Sequence, residues 1–245
     1  MAPKQHYPEH IWALPAHWLI AAPISVVNHQ SLVFLRALIS DDENTRALKF
    51  RQESDRHRYI LAHALKRFVL STLLGLDPMS LEFSLGEKGK PLCGNIGAPD
   101  FNLSHSGDWV LCGVSSISNI GVDVEIESRE VSEAVAKYAL TTKQLSEVNE
   151  SANAAQRFML YWTQKEAVSK ALGLGLTIGF DTLDCSGQIG RSGLYCNEQE
   201  LTVESGFLDG YVVSVAATAP NQMTFYRLSE WTESGFVVCK LKIST

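Results

Sequence analysis

The stretch Gly121-Val122-Asp123-Val124-Glu125-Ile126 alternates apolar and acidic residues. In an extended strand that period of two sends Asp123 and Glu125 to one face and Val122, Val124 and Ile126 to the other. Two carboxylates a few ångströms apart repel unless a cation stands between them, and oxygen donors favour a hard ion such as Mg²⁺. The plainer reading is a half-exposed edge strand with a solvated acidic face. A third carboxylate tips the balance, and Tyr161-Trp162-Thr163-Gln164-Lys165-Glu166-Ala167-Val168-Ser169-Lys170 offers one. At 3.6 residues per turn Trp162, Glu166 and Lys170 form a stripe opposite Leu160, Ala167, Val168, Ala171 and Leu172. Either Glu166 and Lys170 are an exposed i,i+4 ion pair, or Glu166 completes a cation site while Lys165 and Lys170 reach phosphate oxygens.

Two further segments bear on an anionic ligand. Phe101-Asn102-Leu103-Ser104-His105-Ser106-Gly107-Asp108 places hydroxyls and an imidazole at a strand end, just before the strand pair that closes on the acidic motif. Such a turn can offer backbone N–H groups, hydroxyls and a ring nitrogen to phosphate, although Ser-rich turns also bond their own backbone. Gly86-Glu87-Lys88-Gly89-Lys90-Pro91 is a flexible loop with two lysines, unremarkable by itself. Arg46, Lys49, Arg51, Arg56, Arg58, Lys66 and Arg67 concentrate positive charge in one helical region. A solvated helix face accounts for some of the seven; the excess also suits an anionic group or an acidic partner.

The elements that must position these residues follow from periodicity. A first strand is expected around Trp18 to Val27 and a helix from Asp41, as N-cap, through Leu74, closed by Gly75 and Pro78. Strands follow at Leu81–Leu85, Phe101–Ser104, Trp109–Ser115 and Ile120–Ile126. The second half repeats the order: a helix from Ala155 to Leu172 closed by Gly173 and Gly175, then strands at Thr182–Cys185, Glu200–Glu204 and Tyr211–Ala217. The repeat, offset by about 100 residues, predicts two α/β halves, each a helix packed on a small sheet, divided as 1–122 and 123–245. A groove between such halves is the default ligand site.

Composition sets outer limits. With 245 residues, 45% of them hydrophobic and 20% charged, the chain can bury a substantial core. A net charge of −6 disfavours broad contact with nucleic acid or an anionic membrane. Five scattered cysteines without a C-x-x-C pair read as reduced thiols, neither a disulfide frame nor a zinc site, which places the chain in the cytoplasm. The apolar run Ile11–Ile39 is interrupted by Pro15, His17, Pro23, His29 and Arg36, and Lys4 alone makes a thin start for a signal peptide.

Taken together, Gly89-Lys90-Pro91, Phe101–Gly107, Gly121–Glu125 and Trp162–Ala167, continuing through Lys170 to Gly173-Leu174-Gly175-Leu176, resemble the 4′-phosphopantetheinyl transferases. The likeness is to the larger surfactin-synthetase-activating type. It covers about residues 40 to 180, in the family's order and spacing. It implies an α+β fold, a pseudo-twofold monomer of two similar halves, the first holding the nucleotide of coenzyme A and the second the metal-site helix and carrier docking. It also implies transfer of the phosphopantetheine arm of coenzyme A, a co-substrate, to a serine of an apo acyl or peptidyl carrier protein of fatty acid, polyketide or nonribosomal peptide synthesis. Adenosine 3′,5′-bisphosphate is released.

By the same resemblance Asp123, Glu125 and Glu166 hold Mg²⁺, with Mn²⁺ a substitute, on the diphosphate. Lys170, Ser104 and His105 match phosphate contacts, Lys90 and Lys165 further coenzyme A contacts, and Arg46 and Arg58 basic positions near the nucleotide. Glu166, Lys170 and His105 form the catalytic set, with Glu166 or a metal-bound water as base. Two departures stand out: Lys143 and Gln144 occupy a segment where many relatives carry a glutamate, and Glu43 stands where some carry a lysine. Alternatives are a Mg²⁺-dependent hydrolase of nucleotide diphosphates and a non-catalytic coenzyme A- or carrier-binding module. A docking loop is expected from Lys137 to Asn153, and the apolar run Phe236–Ile243 has no assigned function.

Overall fold

Strand alternation decides the layering. In the computed structural model, which describes residues 16–219, 223–232 and 235–243, the first strand β1 (His17–Pro23) is buried along its whole length. Its Trp18, Ile20 and Ala22 pack into one apolar cluster and its Leu19 and Ala21 into another. A strand without a polar face must be covered on both sides. Three helices follow, α1 (His29–Ala37), α2 (Asp41–Ala47) and α3 (Glu53–Leu74), then a hairpin of β2 (Phe83–Leu85) and β3 (Pro91–Cys93), and strands β4 (Asp100–Ser106), β5 (Trp109–Ser115) and β6 (Ile120–Ile126). Beyond them come α4 (Glu133–Ala139), α5 (Thr142–Asn149), α6 (Ala154–Leu172), β7 (Gly190–Cys196), β8 (Gln199–Leu208), β9 (Tyr211–Ala217), β10 (Met223–Thr232) and β11 (Gly235–Lys240).

One sheet has the order β11-β10-β1-β5-β4 and the other β6-β9-β8-β7. Helix α3 covers the first through Leu61, Leu65 and Phe68; α6 covers the second through Ala167, Val168 and Ala171. Between the sheets Leu19 and Leu111 meet Val122, Val124, Val213 and Val215. The layers therefore run helix, sheet, sheet, helix.

The two halves share one strand path. In each, a strand leads into helices, two further strands return, and the last of them inserts beside the first: β1-β5-β4 and β6-β9-β8, all antiparallel. Leu19 lies opposite Gly113 in one half and Val122 opposite Val215 in the other. Both long helices end on a glycine in the left-handed region, Gly75 at φ 66° and Gly173 at φ 66°, which only glycine adopts without strain.

Several expectations need correction. The single helix from Asp41 to Leu74 is two helices, α2 and α3, and the N-cap is Ser40, whose hydroxyl accepts from Glu43 N while the Glu43 carboxylate accepts from Ser40 N. The first strand stops at Pro23, which leads into a 3₁₀ turn at Ile24–Val26. Thr182–Cys185 is no strand. A division at 122 falls within β6, and β10 and β11 return to the first sheet, with β10 parallel to β1. Lys4, residues 11–15 of the apolar run and residues 244–245 lie outside the described residues.

Candidate active site

The site grows from the edge where the sheets meet. Side chains of β4 reach the neighbouring strand β6 at regular intervals: Asp100 Oδ2 accepts from Ile120 N (2.7 Å) and Asn102 Oδ1 from Val122 N (3.0 Å). Farther along, the Ser104 hydroxyl donates to Asp123 Oδ1 and the Ser106 hydroxyl to Glu125 Oε2, each at 2.8 Å. From the other side α6 presses directly on β6, because a Cβ at Gly121 would overlap the Ala167 carbonyl and the Ala171 amide. That close approach carries Glu166 and Lys170 to the acidic face of β6.

Lys170 Nζ donates to Asp123 Oδ1 (2.6 Å), Val122 O (3.1 Å) and Ser104 Oγ (3.3 Å). Asp123 Oδ2 is buried without a hydrogen-bond partner. Burial, followed by the charges of Asp123 and Glu125, raises the Glu166 carboxyl above its ordinary value, with Lys170 opposing. Among the described residues no three such side chains converge tightly enough, as they stand, to enclose a metal ion. An orphaned buried carboxylate oxygen among mutually repelling carboxylates is nonetheless the donor chemistry a hard cation satisfies.

These groups line one end of a cavity of about 1140 Å³ together with His105 and Trp162, and α2, α3 and β2 wall the other end with Arg46, Tyr59, His63, Lys66 and Phe83. Desolvation, then the Arg58 cation, lowers the His105 pKa, so the ring is neutral near pH 7. Arg58 itself does not face the cavity: it donates to Gly107 O (2.9 Å) and pairs with Asp55, bracing the β4–β5 turn. Lys90 is tied at the opposite end of the seam, to Asp100 Oδ2 (2.6 Å) and Ile120 O (3.2 Å).

Lys165 contradicts its expected role. Its side chain is fully buried, and Nζ donates to Ala139 O (2.7 Å) and Phe180 O (2.6 Å), knitting α4 and the segment after α6 to the helix. One residue along a helix is a turn of about 100°, which takes Lys165 off the Glu166 stripe and into the interior. Burial accordingly lowers its pKa to about 8. Gln144, in the segment lacking the glutamate, is buried and donates to Cys185 O (2.9 Å). The expected docking loop from Lys137 to Asn153 is mostly helical, comprising the end of α4 and all of α5.

Sequence reading also missed an ion cluster at the far end of the cavity. Glu43 accepts from His63 Nδ1 (2.8 Å), Lys66 Nζ (2.9 Å) and Arg67 Nε (2.6 Å). Its signal was a carboxylate amid the basic helical region, but the partners lie 20 to 24 residues away and local periodicity does not pair them.

Comparison with known proteins fits this geometry. Residues 119–216 match the family described as the 4′-phosphopantetheinyl transferase superfamily, and residues 27–116 match "4′-phosphopantetheinyl transferase, N-terminal". The chain is 31% identical over 173 residues to the 4′-phosphopantetheinyl transferase HetI of a Nostoc species, covering 68% of this chain and 69% of that protein. The chain belongs to the 4′-phosphopantetheinyl transferase family. Other members of the family are similar too: 4′-phosphopantetheinyl transferase Sfp of Bacillus subtilis at 32% over 148 residues, and a Thraustochytrium phosphopantetheinyl transferase at 32% over 164. These alignments span 60% and 59% of this chain, and 65% and 56% of the two relatives. The N-terminal match holds the basic helices, and the superfamily match holds Asp123, Glu125, Glu166 and Lys170.

Proposed function

We propose that the chain transfers the 4′-phosphopantetheine arm of coenzyme A to a serine hydroxyl of an apo acyl or peptidyl carrier protein, releasing adenosine 3′,5′-bisphosphate. The observation that carries this reading is the meeting of Asp123, Glu125, Glu166 and Lys170 at one end of a cavity large enough for a dinucleotide-sized ligand, in a member of this family.

The reaction sets a weak nucleophile against a charged diphosphate, so catalysis needs positive charge at non-bridging oxygens and a proton acceptor near the serine. Asp123, Glu125 and Glu166 are the residues that would hold a divalent cation, Mg²⁺ or Mn²⁺, which when bound neutralises diphosphate charge. Lys170 is already directed there by its bonds to Asp123 and Ser104, and its ammonium is the cation that would pair with a phosphate oxygen. Ser104 and neutral His105 supply hydrogen bonds at the β4 end without repelling cations. Glu166, which lines the same end of the cavity, is the candidate base. Arg46 stands at the nucleotide end; Arg58 and Lys90 act on the frame, through the β4–β5 turn and the seam. Five free cysteines accord with a reducing cytoplasm, and a monomeric state is part of the same proposal. No described helix is long and apolar enough to cross a membrane.

The test is mass spectrometry of an apo acyl carrier protein incubated with the chain, coenzyme A and Mg²⁺. A gain of one phosphopantetheine on the serine, abolished by chelator and slowed about 10²-fold or more in E166Q, is expected. No gain on several unrelated apo carriers would overturn the reading; near-normal turnover in E166Q would remove Glu166 from its role alone.

A further inference from the structure

Two hairpin turns meet where the sheets join beside the acidic strand. Gly107–Asp108 joins β4 to β5 and Asp209–Gly210 joins β8 to β9, at equivalent places in the duplicated path. An aromatic residue follows each turn, Trp109 in the first half and Tyr211 in the second. Trp109 is buried between the sheets. Tyr211 packs on the same layer, but its hydroxyl crosses to the other half and accepts from Asp108 N (3.0 Å). The fit is close, since a Cβ at Gly107 would overlap Tyr211 Oη. Arg58, from α3, donates to the carbonyl of the same turn residue, Gly107 O (2.9 Å).

The base of Tyr211 is fixed beside the carboxylates. It stands opposite Ile126 in the β6–β9 pair, and the end of β6 is tied to its turn by Glu127 N donating to Gly210 O (3.0 Å). The turn it grips has less support: β4 is the edge strand of its sheet, and the tip of an edge hairpin is where a sheet opens most readily. One residue before that tip the Ser106 hydroxyl donates to Glu125 Oε2 (2.8 Å), which also accepts from Arg129 Nη1 (3.1 Å). Both bonds fall on Oε2, so among the described residues Oε1 is the Glu125 oxygen left for a cation. A continuous route therefore runs from Tyr211 Oη to Asp108 N, through the turn to Ser106, and on to Glu125.

We infer that Tyr211 is a positioning residue for the transfer reaction: its hydroxyl fixes the β4–β5 turn so that Ser106 orients the Glu125 carboxylate for the cation. This rests on the transferase reading above, in which Asp123, Glu125 and Glu166 would hold that cation. Tyr211 is not one of the residues lining the cavity, so it acts only through the turn.

Electron paramagnetic resonance of Mn²⁺ titrated into the intact chain reads the carboxylates without coenzyme A or carrier. Y211F keeps the ring against Gly107 and loses only the acceptor, so its melting temperature should stay within about 4 °C of wild type while the Mn²⁺ Kd rises about three- to tenfold. S106A breaks the next link and should weaken Mn²⁺ binding by a similar factor. Because both changes act along one route, the double variant should bind within about twofold of the weaker-binding single variant. A Y211F Kd within about twofold of wild type overturns the inference, and so do factors that multiply in the double variant. A larger fall in melting temperature makes the bond a purely structural one and overturns it too. In carrier loading at a fixed, subsaturating Mg²⁺ concentration, kcat of Y211F should fall about threefold or more with KM for coenzyme A within about twofold, since the nucleotide end is untouched; a change in KM alone overturns the assignment. If wild type binds Mn²⁺ but loads no carrier, the transferase reading fails, and the Mn²⁺ factors by themselves decide the role of Tyr211.

Discussion

At the scale of single residues, Glu43 makes a thermodynamic statement. Hydrogen bonds from His63 and Ser40 and the Lys66 cation outweigh burial and hold its carboxyl well below the ordinary value of 4.5. For an acid whose folded pKa is depressed, the stabilisation is complete above the unfolded value and is lost as pH falls toward the folded one. E43Q should therefore be less stable than wild type by about 3–5 kcal/mol at pH 7, the size expected when one partner of a buried pair is removed. The difference should shrink by about 1.4 kcal/mol per pH unit below pH 4.5, because the Glu43 contribution, which only wild type has, is lost there. Urea midpoints at pH 7, 4.5 and 3 measure it, and a gap that stays constant across that range would contradict the assignment. Residues of this kind were the hardest to read from sequence. Asp123, Glu125, Glu166 and Lys170 declared themselves through periods of 2 and 3.6, which are local. Glu43 and Lys165 owe their states to partners on other elements, and a neighbour in sequence, Glu166 beside Lys165, says nothing about which of the two turns inward.

Among elements, the contact between α6 and β6 determines whether the carboxylates share a site at all. Gly121 is the residue that permits it, since any Cβ there meets backbone of α6 that has no flexible end to yield. G121A is expected to destabilise the fold by about 1–3 kcal/mol and to reduce transfer activity further than that loss explains, because Glu166 and Lys170 are displaced from Asp123 together. Thermal melting beside the carrier-loading rate separates the two effects; an active, fully stable G121A chain would show that the close approach is dispensable. The strands around this contact were legible: β5, β6 and β9 match their expected bounds, because β5 and β9 are almost wholly apolar and β6 alternates with a regular period of two. Others were not. In β10 the alternation is interrupted by a register shift between Leu228 and Glu230, and β7 is a half-exposed strand containing Gly190, Gly193 and Arg191. The break between α2 and α3 lies in a segment, Leu48 to Gln52, with neither proline nor glycine to mark it.

For the whole molecule, duplication does not mean independence. The helix–strand path occurs twice, yet the first sheet is completed by the end of the chain: β10 lies parallel beside β1, with Trp18 opposite Thr224 and Ile20 opposite Tyr226. Met223 and Phe225 fill the layer between the sheets, while Leu228 and Trp231 join the core under α3, where Trp231 meets Phe68 edge-on at 5.6 Å. A half cut at 122 would lose those residues, leave a buried strand with an open edge, and divide β6 from its partner β9. The intact chain is therefore expected to unfold in one transition, with tryptophan fluorescence and far-ultraviolet circular dichroism superimposing. Residues 1–122 expressed alone should fail to fold, and so should a chain ending at residue 222. Coincident probes with unfolded fragments would support a single cooperative unit; a 1–122 fragment with its own sigmoidal melt would show that the N-terminal repeat is a domain in its own right. The functional consequence is specific: the cavity takes one wall from α2 and α3 and the other from β6 and α6, so strand β10, which touches no ligand, should be as necessary for transfer as the carboxylates themselves.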